Sequence, residues 1–146
     1  NLRLLYTYMF THPGAKLLFM GNEFGQTSEW NYKTELQWEL LDFVSHGGMK
    51  FCVQKLNELY RNYPALYENQ FSNEGFQWVD LNNRNESVVV YKRKGLKQKD
   101  DVIVILNMTP QVHNNWKIQV SNKNKWKEIF NSDNKEFWGT GDVFIH

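Results

Sequence analysis

The sequence predicts an α/β segment followed by an antiparallel all-β domain. Three observations carry this. Residues 1–66 hold two stretches of helical period on either side of a short, all-apolar run. After about Leu66 the helical period stops. From there, short β-branched and aromatic stretches recur at near-regular spacing between polar turns, the pattern of an antiparallel sandwich.

Each element has its own local reason. Leu2, Leu5, Tyr6, Met9 and Phe10 share one helical face. His12-Pro13-Gly14 stops that helix, because proline cannot continue the ladder and glycine tolerates the turn. Lys16 leads into Leu17-Leu18-Phe19-Met20, which suits a strand buried on both faces, as in a parallel sheet flanked by helices. Helix, loop and all-apolar strand are the parts of an α/β barrel or an open α/β sheet. Residues 21–34 are polar, contain two glycines and read as a long loop. Residues 35–44 form a short amphipathic stretch, and Ser45-His46-Gly47-Gly48 is expected to break it. Met49, Cys52, Val53, Leu56, Leu59, Tyr60 and Tyr63 then mark the clearest helix, which Pro64 ends. Strands are expected at residues 76–80, 87–93, 102–106, 116–120 and 126–130. Polar turns are expected at residues 82–85, 95–101 and 121–125.

Composition removes several function classes. Among 146 residues, 17 Lys and Arg against 16 Asp and Glu leave a formal net charge of +1. That balance lacks the broad basic field of a nucleic-acid protein and the basic cluster of a membrane anchor. No apolar run approaches the roughly 20 residues that span a bilayer. The lone cysteine, Cys52, excludes an intrachain disulfide, and its place on an apolar helical face predicts a buried small hydrophobe. Four scattered histidines show no metal-ligand spacing, so no metal or cofactor is expected. A cytoplasmic protein is the simplest reading, and a cysteine-poor secreted one stays open. The sequence starts at Asn1 within a helical pattern and without an initiator Met, and residues 142–146 look strand-like. Both features predict a piece of a larger protein.

One stretch is distinctive. Leu17-Leu18-Phe19-Met20-Gly21-Asn22-Glu23-Phe24-Gly25-Gln26, with Glu29-Trp30-Asn31, resembles the last barrel strand and following loop of glycogen branching enzymes, members of the α-amylase superfamily. The likeness continues in order through Leu36-Gln37-Trp38-Glu39-Leu40-Leu41, the helix around Val53 to Tyr60, Pro64-Ala65-Leu66 and Gly75-Phe76-Gln77-Trp78. It extends through Asn107-Met108-Thr109-Pro110 and residues 126–133. The resemblance implies the C-terminal piece of a (β/α)8 barrel over residues 1–66, with residues 17–20 as the eighth strand and residues 2–10 and 49–62 as the flanking helices. It implies an amylase-type β-sandwich, truncated, over residues 67–146.

The family cuts α-1,4 glucan chains and rejoins them as α-1,6 branches through a retaining, two-carboxylate mechanism. Its carboxylate motifs are absent from this sequence, so no catalytic residue is expected and the chain alone is expected to be inactive. Asn22, Glu23, Trp30 and Asn31 are the candidate substrate-binding residues. An indole offers a flat apolar face to a sugar, and amide side chains donate and accept as hydroxyls do. Two bland alternatives stay open: Glu23 holding its loop through hydrogen bonds, and Trp30 packing the loop onto the barrel rim. Trp38, Trp78, Trp116 and Trp126 read as packing residues, and Trp138 as an exposed one. The expected partner is an α-glucan such as glycogen or amylose, with self-association of the piece through its uncovered barrel helices. The alternatives are a stand-alone polysaccharide-binding or interaction module, or the tail of another amylase-family hydrolase.

Overall fold

A computed structural model describes residues 1–120 and 126–141. The turn expected at 121–125 and the strand-like residues 142–146 lie outside the described residues. Two α-helices lead. Helix α1 spans Leu2–Thr11 and helix α2 spans Val44–Asn62. Three strands follow, β1 at Phe76–Asp80, β2 at Val88–Arg93 and β3 at Val102–Asn107, paired antiparallel in that order. No described helix is long and apolar enough to cross a membrane.

The apolar stripe of α1 is covered only in part, since Leu2 is 38% and Leu5 57% exposed. Tyr6 and Phe10 enter a core with Met49, Cys52, Val53, Leu56 and Leu59 of α2. Cys52 is fully buried within it, and burial pushes its thiol pKa up to about 11. Pro13 and Gly14 follow α1 directly, and Gly14 adopts the left-handed φ of 106° that a side chain would oppose. A second core joins the helical part to the sheet. Val89 and Tyr91 of β2 and Val102, Val104 and Leu106 of β3 share one face, against Ala65 and the α1 residues Leu4 and Tyr8. Thr11 ties the two parts by a 2.6 Å hydrogen bond between its hydroxyl and that of Tyr91.

Arg93, at the end of β2, has no exposed surface. Its guanidinium donates to three backbone carbonyls: Thr11 at 2.7 Å, Gly75 at 3.2 Å and Leu66 at 3.3 Å. It thus closes the C-terminal turn of α1, the turn after α2 and the segment leading into β1. Arg3 performs a similar task at the other end of α1. It donates to the carbonyls of Ser132 and Trp138 and pairs with Asp133 at 3.3 Å. Residues 131–141 form a knot around Asp133, whose carboxylate accepts from Thr140, and Phe137 drops from this knot into the helical core.

Several expectations are corrected. Residues 17–20 form no strand: Leu17 is 75% exposed and Phe19 49%. A strand needs a neighbour to complete its hydrogen bonds, and no described segment pairs with this one as a strand. The barrel piece expected for residues 1–66 is not itself displayed; the described residues there form two packed helices joined by a loop with 3-10 turns. Ser45-His46-Gly47-Gly48 does not break a helix, because α2 runs straight through it. Glycine costs roughly 1 kcal/mol in a helix interior, but Gly48 sits against the Phe137 backbone, where a Cβ would lie 2.9 Å from the carbonyl carbon. Close packing with the 131–141 knot decides that position. The amphipathic stretch at 35–44 condenses to a 3-10 turn, Trp38–Asp42.

In the β part, strands 76–80, 87–93 and 102–106 form as expected, within a residue at either end. Residues 116–120 and 126–130 do not. Trp116, Ile118 and Val120 are half-buried and alternate with exposed Lys117 and Gln119, so the two-residue period reports one-sided packing without a ladder. Trp78 and Trp126, expected in the core, are both more than two-fifths exposed. Within the described residues the expected sandwich is one three-stranded antiparallel sheet.

Candidate functional site

The polar loop between the two helices contains all four candidate residues. It starts with a 3-10 turn, Asn22–Phe24, flanked by Gly21 at φ 84° and Gly25 at φ 69°. Both glycines stand in left-handed backbone, which lets the turn reverse tightly. Phe24 is the loop's anchor. It is fully buried, its ring lies 5.4 Å from that of Trp38, and its carbonyl is 2.8 Å from Nδ1 of His46 on α2. The Asn22 carbonyl accepts from the Tyr6 hydroxyl at 2.9 Å. Burial pushes the Tyr6 phenol pKa up, and the neighbouring Glu23 charge adds to the rise.

Beyond Gln26 the loop reaches outward. Trp30 is 47% exposed and meets Phe19 edge to face, with ring centroids 5.1 Å apart. Asn31 makes a local turn: its side-chain oxygen accepts from the Lys33 amide at 2.9 Å, and its carbonyl accepts from the Thr34 amide at 3.2 Å. That leaves the Asn31 side-chain amide hydrogens outside the turn. Tyr32, which the sequence reading passed over, is the most exposed aromatic of the loop at 77%, with the Lys33 ammonium 5.5 Å from its ring centre.

The structure therefore brings Trp30 and Asn31 together at the loop tip and places Asn22 and Glu23 at its base. Among the described residues, no hydrogen bond joins the four and none reaches the Glu23 carboxylate. The arrangement suits recognition: a partly exposed indole, a second aromatic beside it, amides and one carboxylate. No described His, Cys, Asp and Glu side chains form a group able to hold a metal ion. Trp138, also expected to be exposed, is so, and lies on the 131–141 knot beside Gly48 of α2.

Residues 78–145 match the family model of the alpha amylase C-terminal all-beta domain. The chain is 48% identical to the 1,4-alpha-glucan branching enzyme GlgB of Oceanobacillus iheyensis over 98% of its own length and 22% of that protein. It is 47% identical to the GlgB of Aquifex aeolicus over 97% of its length and 22% of that protein. For the GlgB of one Prochlorococcus marinus strain the figures are 46%, 96% and 19%. The chain thus spans about a fifth of the length of the curated relatives it matches. The β part, with its antiparallel sheet, is the C-terminal all-beta domain of that superfamily.

Proposed function

We propose, from a chain that belongs to the glycogen branching enzymes of the α-amylase superfamily, that it forms the C-terminal part of a longer glucan branching enzyme. The observation that carries this is the identity of nearly half, sustained along almost the whole chain and across both its helical and β parts. The longer protein would cut an α-1,4 glucan at one carboxylate nucleophile, with a second carboxyl acting as acid and then base, and pass the chain to a glucan 6-hydroxyl. Both carboxylates lie outside residues 1–146 in this proposal. Residues 1–66 complete the catalytic barrel and residues 67–146 belong to the β domain. The helix-pair arrangement of residues 1–66, with Leu17 and Phe19 uncovered, is consistent with elements that need further strands beside them.

In this reading the loop after residue 20 touches substrate. Trp30 stacks on a glucose ring, the Asn31 amide and Asn22 bond sugar hydroxyls, and Glu23 accepts from them. A stacked aromatic contact is worth about 0.5–1.5 kcal/mol beyond area burial. Trp30→Ala in the full-length enzyme is therefore expected to raise the KM for amylose about three- to tenfold while changing kcat less. An unchanged KM would remove Trp30 from the substrate site.

A further inference from the structure

Two glutamines close the base of this loop by gripping each other's side of it. Gln26 Oε1 accepts from the Gln37 amide at 3.0 Å, and Gln26 Nε2 donates to the Ser28 carbonyl at 3.3 Å. Gln37 Oε1 in return accepts from the Ser28 amide and from the Thr27 hydroxyl, both at 3.1 Å. Gly21 makes the room: a Cβ there would lie 2.9 Å from both Cβ and Oε1 of Gln26. We propose that Gln26 and Gln37 are positioning residues that hold residues 27–36 in the shape that presents Trp30 and Asn31 to an α-glucan. The proposal rests on the substrate-contact reading given above.

The physical case is one of conformational entropy. Residues 27–36 contain no helix or strand, so their backbone is not held by a regular ladder. A loop that must be ordered on binding loses affinity in proportion to the freedom it surrenders. Here the tip is already tied by the Asn31 turn and Trp30 already rests on Phe19. The glutamine pair supplies the remaining constraint, by fixing where the two ends of the loop meet.

The bonding pattern separates the two amide groups. The Gln37 side chain uses only its oxygen, as an acceptor, while the bond to Gln26 comes from its backbone amide. A carboxylate can fill that role, so Gln37→Glu keeps both bonds while Gln37→Ala loses both. The test measures maltoheptaose affinity of the full-length protein for wild type, Gln37→Ala, Gln37→Glu and Trp30→Ala, with hydrogen exchange at the Ser28 amide. Gln37→Ala is expected to weaken binding about five- to tenfold and to speed exchange at Ser28, and Gln37→Glu to restore both. If Gln37→Ala binds as wild type while Trp30→Ala weakens binding, the clamp has no positioning role and the substrate site stands. If Trp30→Ala binds as wild type while Gln37→Ala still frees the Ser28 amide, the substrate site falls, and the clamp's part in glucan recognition falls with it.

Discussion

Arg93→Ala is expected to destabilise the protein by about 3–5 kcal/mol, because three buried carbonyls lose their donor at once. The fully buried guanidinium holds Thr11, Leu66 and Gly75 together, and no alanine, water-excluded at this depth, can replace it. No described carboxylate balances the charge. Its neighbour Lys16, which donates to the His12 carbonyl, has its pKa lowered to about 8, by burial first and by the Arg93 charge second. The geometry of three carbonyls compensates for a charge buried without a counter-ion. Urea denaturation followed by tryptophan emission measures the effect. Arg93→Lys should fall between wild type and alanine, since an ammonium can reach fewer of the three acceptors. A loss below about 1 kcal/mol for Arg93→Ala would mean that apolar packing and the Thr11–Tyr91 hydrogen bond suffice to hold the helices to the sheet.

Phe137→Ala is expected to cost a similar amount, about 3–5 kcal/mol, but to act elsewhere. The ring packs between Phe51, at a centroid distance of 5.6 Å, and Phe130, stacked at 5.4 Å. Its backbone lies against Gly48, the second of the two glycines that α2 carries in its first turns. Removing the ring opens a cavity in the core that joins the 131–141 knot to both helices. Arg3, which reaches Ser132, Asp133 and Trp138 from α1, then has less to hold. Limited proteolysis should show new cleavage between residues 126 and 141 in the variant, together with a lowered Tm. Cleavage confined to the loop at 27–36 would place the weak point away from Phe137.

The parts of this fold that were legible in the sequence are those set by local period. Leu2, Leu5, Tyr6, Met9 and Phe10 mark α1, and the β-branched and aromatic run from Ser87 to Arg93 marks β2. The two-residue period of a strand puts Arg93 on the same face as Tyr91, although nothing in a strand sequence says that an arginine there is buried. The apolar run at residues 17–20 misleads because apolarity reports a need for cover, and its cover is not among the described residues. Gly48 misleads for the opposite reason: its helix propensity is overridden by a contact with Phe137, 89 positions away in the sequence. At the candidate site, residue type and loop position nominate Trp30 and Asn31, whose contact with substrate is a proposal. The hydrogen bonds between the Gln26 and Gln37 segments were not legible, because a hydrogen bond across the base of an irregular loop follows no period. Tyr32 was readable in principle, as an aromatic in a polar loop.

The most direct test of the account is a count of α-1,6 linkages, read from anomeric proton NMR, in amylose treated with the full-length protein and separately with residues 1–146. The account predicts new branch points with the full-length protein and none with residues 1–146. Branch points formed by residues 1–146 alone would contradict it, because the reacting carboxylates would then have to lie within this chain.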